Sequence, residues 1–213
     1  MIDLNINVPL EFLLEMDYNR VTKPFRRIYM RKDFGKKTWV LPQLVLIVGS
    51  YDKDGNPDVM NAAWGGVYDE NTIMICLGEH KTTDNIREQK AFTVSFGDVK
   101  NLVACDYVGI VSANDDPDKM KKSGFTTVKS AHVNAPIIQE LPVALECRLV
   151  KFNEDGVVVG EIVNVCAEES VLGADGKIDL DKLDLITYDP THAAYRRVGE
   201  KVGAAFSDGK KLK

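Results

Sequence analysis

From Trp39 onward, the apolar residues of this chain fall into short runs separated by clusters of turn formers. Leu44-Val45-Leu46-Ile47-Val48 is a continuous apolar run of strand length, the pattern of a strand buried on both faces. Asp52-Lys53-Asp54-Gly55-Asn56-Pro57 then breaks it with residues that favour turns, and Val59 to Val67 returns as a second strand, so the two read as a hairpin. Ile73 to Leu77 and Ala91 to Phe96 are further strands. Between them lies a helix that Thr82 or Thr83 can cap, with Asp84 in its first turn, where a negative charge suits the helix dipole. Asn101 to Tyr107 and Pro117 to Lys122 predict two short helices, and residues 124–142 read as irregular. Val143 to Phe152 and Val157 to Val165 flank Asn153-Glu154-Asp155-Gly156, the strongest hairpin signal in the chain.

Many short strands, few helices and no strand–helix alternation predict a mainly β protein built as a barrel or sandwich. The first 37 residues differ in texture. Leu10, Phe12, Leu13 and Leu14 fit a short helix after Pro9. A basic stretch of Arg20, Lys23, Arg26, Arg27, Arg31 and Lys32 follows, interleaved with Phe25, Tyr29 and Phe34. The reading is an N-terminal extension, residues 1–37, followed by one barrel domain, residues 38–213.

Composition narrows the function. A formal net charge of -5 over 213 residues argues against a nucleic-acid binder, which needs a basic face to displace counterions from phosphates. Cys76, Cys105, Cys147 and Cys166 form no CxxC pair and match no zinc spacing, so they read as buried small hydrophobes in a reducing compartment. The opening residues lack a signal-peptide pattern, and no apolar run is long enough to span a membrane. The expectation is a cytoplasmic protein without nucleic-acid or membrane partners. The chain has no GxGxxG, no phosphate-binding GxxxxGK[ST] and no GxSxG elbow, and its three histidines are isolated. Neither a metal site nor a catalytic residue is predicted.

Two segments carry candidate chemistry. Asn61-Ala62-Ala63-Trp64-Gly65-Gly66 is a strand of small residues, along which a flat ring can lie close to backbone N–H and C=O groups. His80-Lys81-Thr82-Thr83-Asp84 combines a cation, two hydroxyls and a helix N-terminus, a set that suits a phosphate. Tight barrel packing and plain helix capping are the alternative readings of the same residues.

With these pieces in order, the chain resembles the flavin reductase-like, FMN-binding split-barrel family, which includes flavoredoxins. The resemblance runs from about Pro42 to Phe206. It also takes in Phe92-Thr93-Val94-Ser95, Gly109-Ile110-Val111-Ser112 with Lys119, Val159-Gly160-Glu161-Ile162-Val163 and Tyr195-Arg196-Arg197-Val198-Gly199. It implies a split β-barrel with a few short inserted helices, a homodimer, and FMN in a groove near the dimer interface. Asn61, Ala62, Ala63 and Trp64 would then lie along the ring and ribityl chain, and His80, Lys81, Thr82 and Thr83 would hold the phosphate. Ser95 and Phe96 would lie near the flavin, Ser112 and Lys119 would reach the phosphate region, and Tyr195 would cover the ring. Relatives often place an Arg and an aromatic residue where this chain has His80 and Lys81; Lys81 supplies its charge as a point rather than a fork. The implied activity is a reductase passing electrons from NAD(P)H or a protein donor through FMN. The alternatives are an FMN electron carrier without turnover and a barrel that binds another ligand.

Overall fold

The computed structural model describes residues 31–213, so the predicted helix near Pro9 and most of the basic stretch lie outside the described residues. The chain divides into two units, residues 1–37 and 38–213. The second contains twelve described strands: β1 (Gln43–Leu44), β2 (Leu46–Tyr51), β3 (Pro57–Ala62), β4 (Gly65–Asp69), β5 (Thr72–Cys76), β6 (Ala91–Phe96), β7 (Thr127–Lys129), β8 (Pro136–Ile138), β9 (Val143–Phe152), β10 (Val157–Ala167), β11 (Ile186–Asp189) and β12 (Ala194–Arg197). Four helices accompany them: α1 (Lys81–Gln89), α2 (Leu102–Ile110), α3 (Lys119–Ser123) and α4 (Leu180–Leu183).

Seven strands form one antiparallel sheet in the order β3-β2-β6-β9-β10-β5-β4. Its two edge strands, β3 and β4, are consecutive in sequence and joined only by Ala63 and Trp64. Laid flat, seven strands at roughly 4.8 Å spacing would hold the edges ~29 Å apart. Three Cα steps from Ala62 to Gly65 span at most about 11 Å. The sheet must therefore curl until its edges meet at that end, which makes it a split barrel. Leu46, Val48, Ile75, Phe92, Val94 and Val158 fill the interior. Phe92 sits over Gly160, where a Cβ would collide with the ring, and the β9–β10 register shifts between Val159 and Gly160.

A second apolar layer covers the outside of β2 and β3. Ile47 and Val59 pack there with Cys105 and Val108 of α2, Ile138, Leu141 and Ile186. A small sheet, β1-β11-β12, flanks this layer. Among the described residues no helix is long and apolar enough to cross a membrane.

The structure modifies four local expectations. The run from Val59 to Val67 is interrupted at Ala63-Trp64 and its halves become opposite edges of the sheet. The helix begins earlier than expected: His80 is the cap, and Thr83 occupies the third helical position with its hydroxyl accepting from the His80 N–H at 2.8 Å. Residues 124–142 contain the hairpin β7–β8, which pairs Thr127 with Ile138. Cys105 and Cys147 are buried as expected, whereas Cys76 and Cys166 are half-buried; all four are free thiols.

Candidate functional site

Three adjoining cavities follow β3 along its outer side. The first, about 190 Å³, opens at the start of α1 and is lined by Asp58, Asn61, Lys81, Thr82, Ser112 and Lys119, among others. The second, about 200 Å³, shares Asn61 with it and adds Ala63, Asp106, Tyr188 and Tyr195. The third, about 350 Å³, shares Ala63 with the second and is lined by Trp64, Gly65, Val40, Pro42, Gln43 and Leu44. From Asp58 to Ala62 the strand rises ~13 Å, so the polar end and the apolar end are separated by a molecule's length rather than an ion's.

At the polar end, Asp58 and Lys119 form a buried ion pair, Nζ to Oδ1 at 3.1 Å, with side chains only 5% and 3% exposed. The Thr82 hydroxyl donates to the other oxygen of Asp58 at 2.7 Å. The Thr83 hydroxyl donates to the His80 carbonyl at 2.6 Å and is wholly buried. Both predicted phosphate-binding hydroxyls are therefore engaged within the protein: Thr82 fixes Asp58 and Thr83 fixes the helix start. Lys119 lines the cavity with its charge matched by Asp58. Free binding capacity lies elsewhere. Thr83 N–H and Asp84 N–H both donate to the His80 carbonyl, while the Lys81 and Thr82 amides have no backbone acceptor among the described residues. Lys81 makes no ion pair among the described residues and meets the charge of Asp52 only at longer range, so two amides without a backbone acceptor and one cation line the cavity.

In the middle, Asn61 Nδ2 donates to the Cys105 carbonyl at 3.0 Å and to the Tyr195 hydroxyl at 3.4 Å. Tyr195 donates in turn to Asp106 Oδ1 at 2.8 Å. Burial, then the bond to Asp106, pushes the Tyr195 phenol well above its usual value, so it stays neutral. Gly109 makes this geometry possible: a Cβ there would lie 2.9 Å from the Asn61 Cβ and lever α2 away from β3. Tyr188 and Tyr195 stand with ring centroids 6.1 Å apart, forming the far wall.

The hairpin that carries these tyrosines is anchored by Asp189. The Thr191 hydroxyl, Arg196 and His192 hold its carboxyl well below its ordinary value of 3.8. A depressed carboxylate contributes stability above its unfolded-state pKa and loses it as the pH falls through the folded-state value. Wild type should therefore melt above an Asp189→Asn variant at neutral pH, with the gap closing progressively below about pH 4. Thermal melts of both proteins across that range check this; a gap independent of pH would contradict it.

Of the predicted residues, Asn61, Ala63, Trp64, His80, Lys81, Thr82, Ser112, Lys119 and Tyr195 line these cavities. The rest do not. Ala62 joins the barrel interior. Phe96 pairs with Leu46 across the sheet and packs against the same interior, because alternate strand residues take opposite faces. Ser95 lies opposite Ile47, which lies opposite Asn61, so it shares the outer face but sits two strands away, wholly buried. Thr83 is behind the helix start. Asp58, Asp106 and Tyr188 were not singled out from the sequence. Asp58 was the findable one, as a carboxylate inside a strand of mostly apolar residues.

The sequence pattern of the flavin reductase like domain matches residues 39–188. The chain belongs to the flavin reductase-like family. Among solved structures it is similar to the flavoredoxin of Desulfovibrio vulgaris (Miyazaki F), 36% identical with a TM-score of 0.81, over 84% of this chain and 100% of that one. It is also similar to the flavoredoxin of Methanosarcina acetivorans, at 29% identity and a TM-score of 0.78, over 87% and 100% of the two chains. An uncharacterized protein of Archaeoglobus fulgidus is 32% identical over 142 residues, 64% of this chain and 77% of that protein. Membership in the family, with its FMN-binding relatives, supports FMN as the cofactor of this chain. The groove fits that cofactor, with two amides that lack a backbone acceptor among the described residues and the Lys81 cation at one end, and a mostly apolar recess at the other.

Proposed function

We propose that this flavin reductase-like chain binds FMN along β3 and passes electrons from NAD(P)H, or from a protein donor, to an acceptor. The observation that carries the reading is the unbroken series of cavities from the start of α1, past Asn61, to Trp64. The phosphate goes to the Lys81 and Thr82 amides and the Lys81 ammonium, with Ser112 beside them. Asn61 and Tyr195 line the middle, and Ala63 and Trp64 flank the ring. When bound, FMN supplies the hydride and electron chemistry, and the protein supplies position and electrostatics. The Tyr195–Asp106 bond orients the phenol, and the Asp58–Lys119 pair fixes the wall of the phosphate end.

The homodimer belongs to this proposal. Val40, Leu41, Leu44, Trp64 and Ile110 are large apolar side chains left exposed beside the groove, with Val40 at 70% and Ile110 at 74%. A second copy would cover them and shield the ring from water. The two half-buried and two buried free thiols suit a reducing cytoplasm.

FMN-loaded protein mixed anaerobically with NADH and NADPH in turn checks the activity. Bleaching of the bound flavin is expected with at least one of them. No bleaching, with reduction by dithionite and reoxidation by air intact, would replace the reductase with an electron carrier.

A further inference from the structure

The two residues of β1 reverse the usual order of burial. Gln43 is only 8% exposed, while its neighbour Leu44 is 44% exposed. Both are held in register, Gln43 opposite Tyr188 and Leu44 opposite Thr187, so a simple slip of the strand does not account for the choice. Gln43 lines the apolar cavity beside Trp64 and Ala63. Its Oε1 is buried and has no hydrogen-bond partner among the described residues. Roughly nine in ten buried polar groups are paired, so an unpaired carboxamide at the wall of a ligand cavity stands out. Places where a sequence breaks the local rule for burial tend to be functional.

We infer that Gln43 is a recognition residue of the ring-binding recess, and that it reads an amide N–H carried on a flat ring. The inference rests on the flavin reading of the groove. Oε1 needs a donor, and neither the Thr38 hydroxyl nor the Trp64 indole N–H, the other side-chain donors lining the cavity among the described residues, bonds to it. The remaining wall consists of Val40, Pro42, Leu44, Ala63, Trp64 and Gly65, which suits a planar apolar surface. Two molecules of the proposed reaction carry an amide N–H on such a ring: the imide of the flavin and the carboxamide of a nicotinamide. A hydrogen bond at this point fixes which way round the ring lies, because the opposite edge of either ring has no amide to offer.

Gln43→Met keeps the length of the side chain and removes both polar atoms. Fluorescence titration gives its FMN affinity, and steady-state kinetics at saturating FMN give the KM for NADH or NADPH. If the flavin imide is the partner, Gln43→Met weakens FMN about tenfold. If the nicotinamide carboxamide is the partner, FMN affinity is kept and the KM rises about tenfold with kcat little changed. Analogues test the same contact on the wild-type chain, independently of how the variant folds. FMN methylated at the imide nitrogen, or 3-acetylpyridine adenine dinucleotide in place of the natural cofactor, should lose the same factor. Unchanged FMN affinity and KM in the variant, or full affinity of the wild type for both analogues, would overturn the role of Gln43. A wild-type protein that does not bind FMN is a different result and overturns the reading beneath it.

Discussion

Replacing Lys119 with Met will destabilise the protein by about 3–5 kcal/mol, the range seen when one partner of a buried ion pair is removed. Lys119 and Asp58 are 61 residues apart in sequence and meet at 3.1 Å with almost no exposed surface. Without the ammonium, the Asp58 carboxylate keeps only the Thr82 hydroxyl at 2.7 Å, and a buried charge without its counterion is costly. Asp58→Leu combined with Lys119→Met removes both charges, and replacing a whole buried pair with apolar side chains is often close to neutral. The double variant should therefore recover most of the lost stability. Urea denaturation of the two variants and the wild type checks both statements. Equal losses in the single and double variants would mean that the site is sensitive to packing and not to charge.

Lys81→Met will weaken FMN by roughly 10- to 100-fold and leave riboflavin unaffected. Charge-assisted hydrogen bonds contribute about 1.5–3 kcal/mol, and riboflavin lacks the phosphate that would accept them. Lys81 is the effective cation because Asp58 already neutralises Lys119, while Lys81 has no ion pair among the described residues and opens α1 beside the unpaired amides. The difference should shrink as salt is raised, since the Lys81 side chain is partly exposed to solvent. Equal weakening of FMN and riboflavin would place Lys81 at the ring or in the fold rather than at the phosphate.

The legibility of the fold followed from local patterning. β6 and β9 have the predicted bounds because a run of apolar and β-branched residues ends in each case at an unambiguous turn or helix. The break at Ala63-Trp64 was hidden because nothing in a run of small residues says that its halves will sit at opposite edges of a sheet. The helix start was misplaced because Thr82 and Thr83 are favoured capping types, and only the geometry assigns Thr83 to the third helical position instead. The candidate site was legible where one segment supplies it, as in Asn61, Ala63, Trp64 and Lys81. Asp58, Asp106 and Gln43 were missed because their importance lies in long-range partners or in the lack of one. Phe96 packs against the barrel interior because adjacent strand positions face opposite ways, so a run beside the groove places only half its residues on the outer face.

The most direct test of the central claim is a parallel titration of the wild-type chain with FMN and with riboflavin, followed by desalting and an absorbance spectrum. The account predicts that FMN binds, is retained, and exceeds riboflavin in affinity by at least about tenfold, because the amides and Lys81 at the start of α1 read the phosphate. Unquenched fluorescence and a colourless protein with both ligands would contradict it and leave the β3 groove to a different ligand.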